Sequence, residues 1–452
     1  MSETAYSTHR GSTLRFLMPS LLGIGCFLTP IRYEGSYTIL IGVLTDMANE
    51  QLGDLRIPLL IAILTVSAVV TPLVSWGRVN LVGRDSSWRH LVDVDTPWVL
   101  LRIMGAISAW LIYLEIGPEW IWHSSTGHIA LYELAGGIMT LFIFAAFLLP
   151  FLTDYGFMEF IGETCRGAFR RIFNLPGRSA IDAMASWLTA AVVGIIITSQ
   201  QYQRGFYSAR EAAVIATNFS ITSLPFCLFT IEFIGLGHMF FQVYLTVFFL
   251  GIVAAIIMPR LPPLSGIPDD YFPGVEGERA EDPQDDERPL LTRALDRARQ
   301  RAAHGPGPRR FMQDATANVL DIWFGLLPAV VLVATCGMAL VEYTQVMQWL
   351  SLPFVWLLEL LRIPDAQAAA PTMLVGFFDM FLPAAVGASI ESELTRFVIC
   401  CVGLTQLIYM SEVGLMMLKA PLPLNFINLV QIFFLRTLLL LPITAAVAHL
   451  MF

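Results

Sequence analysis

Charge is what this chain has least of. Only 14% of its 452 residues are Asp, Glu, Lys or Arg, against roughly 25% in a soluble globular protein. With 56% hydrophobic residues and a mean hydropathy of +0.66, that deficit points to lipid as the main solvent. Cys26, Cys165, Cys227, Cys336, Cys400 and Cys401 are scattered and form no C-x-x-C. This argues against a disulfide frame or a zinc site and leaves small apolar filler. The seven histidines show no metal-ligand spacing, so no metal is expected. A nucleophile elbow, a P-loop and H-E-x-x-H are all missing. Catalysis has no constellation to stand on, and neither an enzyme nor a cofactor is expected. Nearly every basic residue is Arg, Lys419 being the exception. No basic patch interleaves with aromatics, which speaks against a nucleic-acid partner. The net charge of −9 says little, because one hydrophilic segment supplies much of the acid.

What is present is a series of apolar runs, several near or above the ~18 residues needed to cross the hydrocarbon core. They predict helices over 16–31, 57–74, 98–117, 129–153, 209–232, 238–258, 318–341, 394–418 and 427–451. The first has a basic flank and no small-x-small cleavage site, so it reads as a retained helix. Between the first two lies "YEGSYTILIGVLTDMANEQLG", read as an interfacial or partial span. Arg accumulates in alternate short loops: Arg10 and Arg15, then Arg78, Arg84 and Arg89, then Arg166, Arg170, Arg171 and Arg178. The loop "EIGPEWIWHSSTGH" has no Lys or Arg, but carries Trp120 and Trp122. The positive-inside rule then puts the N-terminus in the cytoplasm of a multi-pass protein of the cell (inner) membrane.

Residues 260–313 form a polar cytoplasmic linker. It opens rich in Pro and acid and continues as "LLTRALDRARQRAAHG", a basic amphipathic helix with Arg293 and Arg297 four apart. It is read as solvated, with a lipid-surface or regulatory role as the alternative. The linker separates two similar units, 129–259 and 314–452, which follow an N-terminal scaffold at 1–128. Each unit runs in the order span, amphipathic piece, small-residue hairpin, two further spans. The first begins outside and the second inside, so they form inverted repeats.

The hairpins are marked by "AAVVGIIITSQQ" and "PAAVGASIES", with turns assigned to Gly194 and Gly387. Irregular backbone at membrane depth must be buried or line a wet cavity, and hairpin tips present free N–H groups to a solute. The first hairpin offers Thr198, Ser199, Gln200 and Gln201. The second offers Ser389, Glu391, Ser392 and Glu393, with Arg396 one helical turn away. Partner helices lose apolar character midway. "ATNFSITSLPF" places Thr217, Asn218, Ser220, Thr222 and Ser223 ahead of Pro225, and "GLTQLIYMSEVG" places Thr405, Gln406, Tyr409, Ser411 and Glu412 between two glycines. Hydroxyls and an amide ahead of a proline predict a helix that unwinds. A carboxylate at Glu412's depth costs about 2.5–3.5 kcal/mol, which makes it a candidate for function. Asp182 and Asp379, each just before its hairpin, are read as helix caps.

At these residues the chain resembles a known family. "SAIDAMASW", "VGIIITSQQYQRGFYSAREAAVIATNFS" and "LVGFFDMFLPAAVGASIESELTRFVICCVGLTQLIYMSEVG" look like the two halves of YjiH-type proteins, which carry the nucleoside-recognition or gate domain and are distantly similar to concentrative nucleoside transporters. That resemblance implies an all-α integral membrane fold: two inverted repeats, each with a re-entrant hairpin and a discontinuous helix, on an N-terminal three-helix scaffold. It also implies ion-coupled transport by a homo-oligomer, with Gln200, Gln201, Asn218, Ser392, Gln406 and Glu412 carried over as solute ligands. Together with the residues read above, the expected substrate-binding set is Thr198, Ser199, Gln200, Gln201, Asn218, Ser220, Ser392, Gln406, Tyr409 and Glu412. Glu391, Glu393 and Glu412 are the candidates for coupling to H+ or Na+. The expected function is secondary transport of a small polar organic solute, with membrane lipid as the surrounding partner. A metal-ion permease and a non-transporting scaffold or receptor are the alternatives.

Overall fold

A computed structural model of the chain describes residues 3–27, 29–33, 36–77, 91–188, 191–219, 222–274 and 288–452. The protein is almost entirely helical, with a single small antiparallel pair of strands, Pro30–Tyr33 and Ser36–Ile39, among the described residues. Six helices there are long and apolar enough to cross a membrane: Leu40–Ser75, Thr96–Leu114, Ile129–Thr153, Gly237–Arg260, Pro308–Tyr343 and Phe426–Met451. The N-terminal part holds more than three helices. Besides Glu3–Phe27, Arg56–Ser75 and Thr96–Leu114, a further helix, Leu40–Leu52, leads into Arg56–Ser75 through a single 3-10 turn. The partial span expected there therefore begins as strand and ends as helix. Arg78, Arg84 and Arg89 lie outside the described residues.

The two repeats share one element order. A span, Ile129–Thr153, is followed by the amphipathic helix Phe157–Ala168, the paired helices Ser179–Leu188 and Ala191–Gln203, a broken helix (Ala209–Asn218, then Leu224–Phe233), and the span Gly237–Arg260. The second repeat runs Pro308–Tyr343, Val346–Leu360, a hairpin from Thr372–Val375 to Leu382–Gly387, a broken helix (Glu393–Gln406, then Val413–Lys419), and Phe426–Met451. The hairpin arms have at most 13 residues. At 1.5 Å per residue that is about 20 Å, too short for a ~30 Å core.

The repeats are inverted with respect to the span Gly237–Arg260. The first broken helix starts at its C-terminal end, where the Ala209 N–H donates to Asp270 O (2.7 Å) and Arg210 donates to Pro259 O (3.3 Å). The second starts at the opposite end, where Arg396 donates to Ile234 O (2.9 Å) and Glu393 faces His238 (3.7 Å). Both starts are capped. Ser208 and Glu211 form a capping box, and Ser392 accepts the Thr395 N–H (3.2 Å), which satisfies donors that a helix start leaves open.

The linker corrects an expectation. Its helix, Leu290–Ala303, buries Ala294, Ala298 and Ala302 and packs with Phe16, Phe157 and Phe160. Its arginines grip the amphipathic helix of the first repeat. Arg297 reaches Glu163 at 2.7 Å, Arg293 the same carboxylate at 3.6 Å, and Arg301 reaches Glu159 at 3.3 Å and Asp154 at 3.8 Å. Gly156 (φ +99°) makes the approach possible, since a Cβ there would sit 2.3 Å from Ala298 O. A face of small residues permits a close helix contact that a reading of charge alone misses.

Candidate functional site at the crossing of two broken helices

The first halves of the two broken helices end at Asn218 and Gln406. At such ends the last carbonyls have no helical partner. Here they meet one residue of the last span, Arg436, which is fully buried. Its Nη1 donates to Asn218 Oδ1 (3.0 Å) and Thr217 O (3.4 Å) from the first broken helix. Its Nε donates to Thr405 O from the second. The adjacent Thr437 accepts from Gln406 Nε2 (3.0 Å), which also donates to Met373 O (2.8 Å) in the second hairpin.

The breaks are tied to each other and to a hairpin tip. Leu407, at φ +60°, turns the chain out of the second helix. The N–H groups of Met410 and Ser411 then donate to the carbonyls of Phe377 (2.7 Å) and Phe378 (2.9 Å). Tyr409 and Thr222, one from each break, are hydrogen-bonded, and Thr222 also donates to Met380 Sδ (3.5 Å). Backbone freed by unwinding is thus satisfied inside the protein, as membrane depth demands. Asp379 sits in the tip, accepting from the Phe381 N–H (2.9 Å) and bonded to the Ser411 side chain. Glu412 begins the second half of its helix, within electrostatic reach of Asp379 and of Asp321 on the span Pro308–Tyr343.

The expected site residues divide clearly. Asn218 and Gln406 meet at Arg436 and Thr437, Tyr409 faces Thr222 of the other break, and Glu412 lies beyond the break on the side of the hairpin-tip Asp379. Ser220 lies outside the described residues. Thr198, Ser199, Gln200 and Gln201 sit in the second arm of the first hairpin, which packs against Val413–Lys419. There Thr198 and Ser199 are buried, Gln200 is exposed, and Thr198 Oγ1 and Gln201 Oε1 are buried without hydrogen-bond partners. Ser392 is a helix cap, and Glu391 and Glu393 are exposed at the same end. Fourteen residues of helix, Glu393–Gln406, put that end about 20 Å from the crossing.

The turns also move. Gly194 lies inside Ala191–Gln203 rather than at a turn. A Cβ there would meet Ser186 Cβ at 2.4 Å, so Gly194 lets the two arms approach closely. Gly387 ends the second arm at its base, and the tip is the stretch 376–381. In the first hairpin the helices Ser179–Leu188 and Ala191–Gln203 pack on each other, and the two residues between them lie outside the described set. Neither aspartate caps its helix: Asp379 accepts the Phe381 N–H ahead of Leu382–Gly387, whose own N-cap makes no side-chain hydrogen bond, and Asp182, inside Ser179–Leu188, takes a hydrogen bond from the Tyr207 hydroxyl. Arg436 was missed by sequence reasoning. Its signal was available: a lone guanidinium in the middle of an apolar span is a functional-site marker by default.

Residues 135–237, holding the first hairpin and first broken helix, match the family model Gate, described as nucleoside recognition. An uncharacterized protein of Alkalihalophilus pseudofirmus is 45% identical over 450 residues, covering 100% of this chain and 96% of that protein. The chain belongs to that protein's family and carries a Gate domain. No solved structure matches it. A Gate domain set among these spans is the architecture of a multi-pass membrane transport protein.

Proposed function

We propose that this Gate-family protein is a secondary active transporter of a small polar organic solute, such as an amino acid, an amine or a nucleoside-like compound. The observation that carries the reading is the meeting of two oppositely directed helix breaks, with the tip of a hairpin bonded to one of them. Discontinuous helices at a repeat interface are where secondary transporters hold their solute and coupling ion. Inverted repeats supply two related conformations, open to opposite faces, so that rocking one hairpin unit against the spans gives alternating access. Glu412 and Asp379 are the acids at the crossing and the candidates for coupling. Glu391 and Glu393, exposed and about 20 Å away, are not retained. The protein is proposed to act in the cell (inner) membrane as a homo-oligomer with its N-terminus in the cytoplasm.

A thermal-stability screen of the purified protein against nucleosides, amino acids and amines tests this reading. One chemical class should raise Tm saturably, and Asn218→Ala should weaken that response. If no class raises Tm, the crossing is not a solute site.

A further inference from the structure

The crossing has an unusual electrostatic composition. Thr217 O, Asn218 Oδ1 and Thr405 O are three neutral oxygens supplied by the C-terminal ends of two half-helices, and all three point at one guanidinium. Among the described residues no carboxylate pairs with Arg436, and its Nη2 is buried without a hydrogen-bond partner. A buried charge with no counter-charge costs several kcal/mol unless something else stabilises it. The helix ends can do so. Each helix C-terminus carries about −0.5 of an elementary charge, so two of them offset one cation. Unwound carbonyls and half-helix C-terminal ends are also the donors that discontinuous-helix transporters use to hold a coupling alkali cation.

We infer that Arg436 is a tethered cation, its guanidinium filling the place between the two half-helix ends that a sodium ion would otherwise take. The inference rests on the transport reading for its consequence: the crossing needs no sodium, and any coupling falls to the acids Glu412 and Asp379. The geometry supports a substitution of this kind. Arg436 and Thr437 are consecutive on the last span and hold Thr405 and Gln406, which are consecutive at the end of the second broken helix. The same guanidinium holds Asn218 of the first. A cation fixed to the chain keeps the two ends together through every cycle, whereas a bound ion would leave with each release. In this role Arg436 is a positioning residue. Its unpartnered Nη2 leaves two N–H groups available to a further acceptor.

The test is the thermal stability of the full-length purified protein at matched ionic strength in choline chloride, in sodium chloride, and in choline chloride with a low concentration of guanidinium chloride. Wild-type protein should have the same Tm in sodium and in choline. Arg436→Ala should lose several degrees in choline and recover them saturably with either sodium or guanidinium. Arg436→Lys, which keeps the charge, should remain indifferent to sodium. A saturable sodium-dependent rise in wild-type Tm overturns the proposal, and this reading is available even if the alanine variant does not fold. So does an alanine variant that folds with one Tm in all three buffers. These outcomes are independent of uptake. If the transport reading alone is wrong, no solute is transported while the cation pattern persists.

Discussion

Glu163→Gln gives the sharpest test of how the linker is held. Glu163 is 1% exposed and faces three guanidinium groups: Arg297 at 2.7 Å, Arg166 at 3.4 Å and Arg293 at 3.6 Å. Two of these belong to the linker helix. Unit charges 4 Å apart attract by about 4 kcal/mol at an effective dielectric constant of about 20. Desolvation of a buried carboxylate offsets part of that, and removing one partner of a buried pair costs roughly 3–5 kcal/mol. Glutamine keeps an acceptor oxygen, which puts the expected loss at the low end, about 3 kcal/mol. A loss of that size raises the undocked fraction on the order of 100-fold. Limited trypsin digestion reads the fraction directly, because Arg293, Arg297, Arg299 and Arg301 are cleavable only when the helix leaves its site. When opening and closing are fast, cleavage tracks the open population. The variant should be cut far faster within 290–303 than wild type, with the spans unaffected. Equal cleavage rates would show that the alanine face alone holds the helix and that the ion cluster contributes nothing.

Three further expectations follow, two from the linker packing and one from the first hairpin. Glu159→Gln should change linker cleavage much less than Glu163→Gln, because burial already raises the Glu159 carboxyl above its ordinary value, opposed by Arg301. Burial raises Asp154 as well, against Arg301 and Arg310. For groups raised in this way the stabilising contribution is complete below the unfolded pKa and is lost as pH rises through the folded value. The Tm of wild type relative to Glu159→Gln should therefore hold or rise as pH falls into mild acid; a relative fall would contradict this. Gly194→Val should force the first hairpin's arms apart, since even a Cβ falls 2.4 Å from Ser186 Cβ. Overpacking of this kind costs about 1–3 kcal/mol, readable as a lower Tm and as faster hydrogen exchange in 179–203; an unchanged Tm would place the arms further apart than described.

The spans were legible because lipid imposes one rule, a long apolar run, and Thr96–Leu114 and Ile129–Thr153 obey it. The broken helices were legible for the complementary reason. Polar clusters such as Thr217–Asn218 and Thr405–Gln406 are costly inside a span unless the backbone opens there. Turns were harder. Gly194 and Gly387 look like turn residues, but a glycine also serves where two helices touch, and only the positions of Ser186 against Gly194 and Ile399 against Gly387 tell which role applies. The linker helix could be read from its own residues. Its docking could not, because Glu163 lies some 130 residues before the arginines that hold it. Arg436 was visible as an intramembrane charge, yet its partners come from two other helices, 31 and 218 positions away in the chain.

Uptake into sealed proteoliposomes bears most directly on the central claim that the crossed helix breaks carry a solute through the membrane. Vesicles containing wild-type protein should take up saturably the solute class identified by thermal stability, with Glu412→Gln losing accumulation under an imposed proton gradient. Wild-type vesicles that accumulate no compound above empty liposomes, under proton or sodium gradients of either direction, would contradict the account.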